Sequence, residues 1–113
     1  MRRAAWVLAI LLAGHAASAQ QAGDSLNDTQ RLGAQLFHQA CVICHVKPQI
    51  TAAVYGPALS RDSLGGQETV MRDVIRAGTP RMPGFQHHFT PAQIDAIVAF
   101  MKTLPPVQAG TPR

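Results

Sequence analysis

This chain of 113 residues is poor in cysteine, tryptophan and charge, with two cysteines, one tryptophan and 14% charged residues. A zinc site would therefore find no second cysteine pair. The basic residues form no run, so the formal net charge of +4 does not predict a nucleic-acid partner. The sequence has no internal repeat and no convincing strand pattern, which favours an all-α fold.

The two cysteines belong to a C-x-x-C-H motif at residues 41–45, which is the attachment signature of a c-type haem. Cys41 and Cys44 lie on one turn of backbone, so each thiol can form a thioether with one haem vinyl group. His45 follows directly and can present its imidazole to the iron. A small disulfide loop, a thioredoxin-type redox pair and a zinc site are the other interpretations. The disulfide is weaker because closing a very small loop gains little chain entropy. The thioredoxin-type pair is weaker because it needs a strand beside the motif, and a helix is predicted before Cys41.

Residues 1–19 have the pattern of a bacterial secretory signal peptide. They begin with two arginines, continue with a short apolar run and end in Ala17-Ser18-Ala19. The run is shorter than the roughly 20 apolar residues of a transmembrane helix, so an uncleaved anchor is the minority alternative. Cleavage would lower lysine plus arginine from 10 to 8, against six acidic residues. Because c-type haem is attached outside the cytoplasm, we expect a periplasmic protein.

Three helices are predicted from apolar periodicity and end signals. They run from residue 27 or 28 to about 40, from 68 to 77, and from 91 to 104. Thr90, Pro91 and Gln93 give the last helix a capping box with proline at its first position, and Gly78 is placed to end the second helix. The inward-facing residues are predicted to be Leu32, Gly33, Leu36, Phe37, Val70, Met71, Val74, Ile75, Ile94, Ile97, Val98 and Met101. Residues 46–66 and 79–89 are predicted to be loops.

Over nearly all of its mature length the sequence resembles a class I cytochrome c. Gly33, Phe37 and Cys41 follow at spacings of four, as in the first helix of that family, and Phe100 matches its terminal-helix aromatic. The resemblance implies a close crossing of the first and last helices at Gly33, and a compact fold of about three main helices and long loops around one covalently bound haem. The expected division is a signal peptide at 1–19, a flexible N-terminus at 20–26, a cytochrome c domain at 27–104 and a disordered tail at 105–113.

The same resemblance implies two further haem-site residues. The segment 55–59 is similar to the Gly-Pro-x-Leu loop of the family, in which the proline carbonyl, here that of Pro57, accepts the Nδ1–H of the proximal imidazole. Met82 lies between prolines in a segment similar to the Met-Pro loop of small bacterial cytochromes c, which implies that it is the sixth iron ligand. His87 and His88 are its rivals.

The mature chain departs from many members of the family because it has no tryptophan to hydrogen-bond a haem propionate. Arg61, Arg72, Arg81 and Tyr55 are possible substitutes. Met71 and Met101 lie on helical apolar faces and are predicted to fill the core.

With both axial positions filled, the protein is expected to carry single electrons rather than to act as an enzyme. The expected partners are a dehydrogenase as donor and another cytochrome or an oxidase as acceptor. We expect a monomer with no nucleic-acid partner and no membrane span after signal removal. A dedicated electron-transfer subunit of a periplasmic dehydrogenase is the first alternative. A five-coordinate haem enzyme or gas sensor is the second, and it requires that Met82 does not bind iron.

Overall fold

The computed structural model describes residues 25–46 and 55–107. Its helices are α1 (Asp28–Ala40), α2 (Val42–His45), α3 (Glu68–Ala77) and α4 (Pro91–Met101), with a short 3₁₀ turn (Ser63–Gly66) before α3. No strand occurs in these ranges, where the only β-type pairing is an isolated bridge between Thr79 and Met82. The predicted all-α fold is therefore confirmed. The predicted signal peptide and most of the two predicted terminal segments lie outside the described residues.

Two of the three predicted helix starts have capping boxes, the predicted one at Thr90 and another at Asn27, whereas α3 starts without a side-chain cap. Asn27 accepts a hydrogen bond from the backbone of Gln30, whose side chain accepts one from Asn27 in return. Thr90 and Gln93 make the same reciprocal pair at the start of α4. Gly78 ends α3 with a φ of 76°, in the left-handed region that favours glycine.

The end predicted for the last helix is three residues too late. Helix α4 ends at Met101, and the predicted end at Leu104 falls in a turn. In that turn Thr103 donates to Phe100 and Leu104 to Met101, each from three residues further along the chain. The last carbonyls of a helix have no helical N–H partner four residues ahead, so they accept from the residue three positions ahead in a tighter turn.

The core is the crossing of α1 over α4. A Cβ at Gly33 would overlap the carbonyl oxygen of Ala96, so the two helix backbones approach each other more closely than any side chain would allow. Phe37 packs edge to face on Phe100 in this crossing, with ring centroids 5.3 Å apart. The close crossing implied by the family resemblance is therefore present. The buried core residues are Leu36, Phe37, Cys41, Met71, Ile75, Ile94, Ile97, Val98 and Met101.

Two residues predicted to face inward are exposed. Leu32 is 40% and Val70 38% exposed. Both lie at the edge of the apolar stripe of their helix: α3 buries only Met71 and Ile75, and Val74 is half-buried. The buried face of α3 is narrower than the sequence pattern because this helix covers the core with one line of side chains. None of the helices in the described ranges is both long and apolar enough to cross a membrane.

Candidate haem-binding site

The C-x-x-C-H motif lies at the junction of α1 and α2. The backbone N–H of Cys41 still bonds to Phe37 at the end of α1, and His45 donates back to the carbonyl of Cys41 at 3.0 Å. This second turn of helix places the two cysteines and the histidine within five residues of rigid backbone. Cys41 is buried, whereas Cys44 and His45 are half-buried and reach the surface beside the loop that begins at Tyr55.

The two thiols are free in the structure, so the disulfide interpretation gains no support. Burial, and to a smaller degree the charge of Cys44, raises the pKa of the Cys41 thiol to about 11. A reactive thioredoxin-type cysteine has a lowered pKa, so this environment opposes that interpretation. Within residues 25–46 and 55–107, no group of three or more histidine, cysteine or carboxylate side chains is arranged to hold a metal ion.

The imidazole of His45 is oriented by Pro57. Its Nδ1 lies 2.7 Å from the carbonyl oxygen of Pro57. Because a carbonyl oxygen can only accept, Nδ1 carries a proton and donates it, so that in the neutral imidazole the free lone pair is on Nε2. This is the contact that the resemblance implies for these two residues, and it gives the ring the tautomer that iron ligation requires.

Gly56 contributes to the same arrangement and was not identified from the sequence. Its N–H donates to the carbonyl of Cys44 at 2.7 Å. A Cβ on Gly56 would lie 2.7 Å from Cε1 and 2.8 Å from Nδ1 of His45, well inside ordinary van der Waals contact. The glycine therefore lets the loop backbone lie directly on the imidazole. The Gly-Pro pair at residues 56–57 is the sequence signal for this arrangement, and the family resemblance implies a role for Pro57 only.

Met82 lies in a short loop that is fixed by its own backbone. Thr79 and Met82 exchange two backbone hydrogen bonds of 2.8 and 3.1 Å, and the Thr79 hydroxyl accepts from the N–H groups of Arg81 and Met82. A Cβ on Gly78 would come within 2.5 Å of the backbone of Met82 and Gly84, so the loop folds back on the end of α3. Met82 itself is half-buried and packs against the core.

The other methionines and histidines considered above are placed differently. Met71 and Met101 are 1% and 4% exposed and fill the core, as predicted. His87 and His88 are exposed, and the ring of His88 packs against Phe85. Core packing therefore accounts for Met71 and Met101, whereas the side chains of His87 and His88 are accessible to solvent.

The four residues suggested for the haem propionates fall into two groups. Arg61 pairs with its neighbour Asp62, and Arg72 pairs with Asp95 on α4. Arg81 instead lies over the ring of Tyr55, with its guanidinium carbon 5.1 Å from the ring centroid. This contact joins the loop of Met82 to the loop that touches His45.

These residues fit a covalently attached haem. Two free thiols lie on one turn of backbone, and the imidazole beside them has its Nδ1 engaged by the Pro57 carbonyl, which leaves Nε2 for the iron. A thioether is held on a second loop, and Arg81 and Tyr55 bring that loop to the first one. Two thiols, one imidazole nitrogen and one thioether sulfur are the protein groups that haem c uses for attachment and axial ligation.

Comparison with known proteins agrees with this chemistry. The model of a family described as cytochrome c oxidase, cbb3-type, subunit III matches residues 28–101. The match extends from the first residue of α1 to the last residue of α4 and so includes every candidate ligand. A search of curated proteins found no match.

Proposed function

Since the chain belongs to the family of cytochrome c oxidase, cbb3-type, subunit III, and so contains a c-type cytochrome domain that binds haem c and transfers electrons, we propose that it is a periplasmic monohaem carrier with His45 and Met82 as axial ligands. One haem is attached through Cys41 and Cys44. The observation that carries the proposal is the 2.7 Å contact between His45 Nδ1 and the Pro57 carbonyl, because it leaves Nε2 as the free donor.

The bound haem would supply an iron that alternates between the ferrous and ferric states. The axial residues of this chain restrict the iron to this change of oxidation state. His45 and Met82 together leave no open coordination position for a substrate, so the protein carries electrons and is not itself an enzyme. Half-burial of both side chains limits the access of water to the iron, and a neutral thioether favours the ferrous state, so both effects raise the reduction potential.

Partners of this carrier are a dehydrogenase as electron donor and a cytochrome or an oxidase as acceptor. Electron transfer needs only a small, transient contact. A second candidate is a dedicated electron-transfer subunit of an oxidoreductase complex. Membership of a family described as an oxidase subunit favours it. Copurification of a stoichiometric partner from the periplasm at moderate salt would distinguish the subunit from a freely diffusing carrier.

The proposal is tested by visible spectroscopy of protein matured in the periplasm, oxidised and reduced, with and without carbon monoxide. The wild-type protein should show a c-type reduced spectrum, a weak long-wavelength iron–sulfur band when oxidised, and no response to carbon monoxide. Met82→Ala should lose the band and bind carbon monoxide readily, because the sixth position opens. Met71→Leu is the matched control: it removes a core thioether with little change of volume and should behave as wild type.

Two results would contradict the proposal. Wild-type protein that binds carbon monoxide at once has an open sixth position, which would turn attention to the five-coordinate enzyme or sensor. If Met82→Ala keeps the wild-type spectrum, another side chain is the sixth ligand.

A further inference from the structure

The contact between Arg81 and Tyr55 has a role beyond the surface packing of two side chains. We propose that these residues form a positioning pair that closes the Met82 loop onto the His45 loop and so holds the Met82 thioether on the iron. The inference rests on the proposed axial ligation by His45 and Met82. It deepens that proposal by naming what regulates the exchange of the sixth ligand.

Each member of the pair is adjacent to a residue that touches the site. Tyr55 precedes Gly56, whose backbone lies against the imidazole of His45. Arg81 precedes Met82, and its guanidinium carbon is 5.1 Å from the centroid of the Tyr55 ring, within the range of a cation–π interaction. The two loops are thus joined directly beside the two candidate ligands.

The position of Arg81 is coupled to that of Met82 because the two residues are adjacent and bonded to the same turn. The N–H groups of Arg81 and Met82 both donate to the Thr79 hydroxyl, at 3.3 and 3.1 Å. The backbone at Gly78 lies against Met82, Pro83 and Gly84, and that at Gly84 lies against the end of α3, so the turn is packed closely on the helix. Because Arg81 and Met82 are held by the same turn, opening of this turn away from the haem would draw Arg81 off the Tyr55 ring.

The other arginines with a described side-chain partner are committed to carboxylates. Arg61, Arg72 and Arg76 each pair with an aspartate that belongs to their own helix, loop or neighbouring helix. Arg81 differs because its described partner is an aromatic face on the loop of the opposite ligand. Arg76 is exposed, as Arg81 is, and its described side-chain partner is Asp73 on its own helix. It therefore provides a control for the loss of one positive charge.

The proposal is tested by titrating the ferric protein with imidazole and following the loss of the iron–sulfur band. An external ligand binds only when the loop has opened, so its apparent affinity reports the open fraction. Both members of the pair are exposed, and an exposed cation–π contact corresponds to about a two- to fivefold change in an equilibrium constant. Arg81→Ala and Tyr55→Leu should each tighten imidazole binding by about that factor.

Conservative variants and a double mutant make the test specific. Tyr55→Phe keeps the ring and should bind imidazole as wild type does, and Arg81→Lys keeps a cation and should restore part of the wild-type affinity. Arg81→Ala with Tyr55→Leu should bind imidazole no more tightly than either single variant, because both remove the same interaction. Arg76→Ala should have no effect. Thermal unfolding of each variant separates loop opening from general loss of stability.

Three outcomes would overturn the inference. Imidazole affinity in Arg81→Ala equal to that in Arg76→Ala would show that the pair does not hold the loop. Additive effects in the double variant would show that Arg81 acts on the haem independently of Tyr55, for example at a propionate. A wild-type protein without the iron–sulfur band would overturn the Met82 ligation and this inference with it, whereas the first two outcomes leave the ligation intact.

Discussion

Replacing Gly56 by alanine should disturb the haem iron although Gly56 offers no ligand. The new methyl group would lie 2.7 Å from Cε1 and 2.8 Å from Nδ1 of His45, where ordinary contact begins at 3.4 Å. Either the imidazole or the loop must therefore move by about 0.7 Å. Movement of the ring breaks the bond to Pro57, and movement of the loop breaks the bond from Gly56 to Cys44.

The expected cost follows from these two routes. Losing one hydrogen bond costs about 1 kcal/mol, and the overpacking adds about 1–3 kcal/mol. The smaller entropy of the unfolded alanine chain offsets about 0.4–1 kcal/mol. Gly56→Ala should therefore lower the free energy of unfolding by about 1–3 kcal/mol. It should also raise the reduction potential, because an imidazole that no longer donates from Nδ1 is a weaker donor to ferric iron.

Redox titration and denaturant unfolding of the holoprotein measure both effects. Gly65→Ala is the control, because it adds the same methyl group where the nearest atom is 3.5 Å away. With a φ of +70° at that position, the control should lose about 1–2 kcal/mol of stability while keeping the wild-type potential. A wild-type potential in Gly56→Ala as well would refute the argument that this glycine sets the position of the imidazole.

Two further variants test the attachment of the haem and the helix crossing. Cys41→Ser combined with Cys44→Ser should abolish covalent attachment, and haem that stays with the protein through acid-acetone extraction would contradict the thioether assignment. Gly33→Ala should lower the free energy of unfolding by about 1–3 kcal/mol or more, because the methyl group would overlap the Ala96 backbone. Helix propensity alone predicts the opposite, an increase in the free energy of unfolding of about 1 kcal/mol. Denaturant unfolding distinguishes the two expectations. The difference in stability between Gln35→Ala and Gln35→Gly, on the exposed face of α1, measures the contribution of helix propensity alone.

Local signals in the sequence predicted the helices well, because caps and breakers act within a few residues. The capping boxes at Asn27 and Thr90 and the left-handed Gly78 are of this kind. Burial was predicted less well at the edges of the helical faces. Leu32 and Val70 have the right spacing to face inward, yet each lies beyond the strip that its neighbours cover. Only the packed structure defines how wide that strip is.

The candidate site shows the same division between local and tertiary information. Cys41, Cys44 and His45 lie within five consecutive residues, so the motif could be identified directly from the sequence. The close approach of Gly56 to His45 depends on how the intervening chain returns, which no local rule gives. The resemblance to a family supplied the Pro57 contact but not the role of its neighbour.

The two proposed axial ligands are held by different kinds of interaction, and this decides which substitutions each side can tolerate. His45 is placed by a helix but oriented by contacts to its ring, from the Pro57 carbonyl and the Gly56 backbone. Met82 is placed by backbone bonds to Thr79, and no described hydrogen bond orients its thioether. A change near His45 therefore alters the quality of the iron–nitrogen bond and hence the potential. A change near Met82 alters how often the sulfur leaves the iron, so the potential and the ligand-exchange behaviour should be separable by mutation.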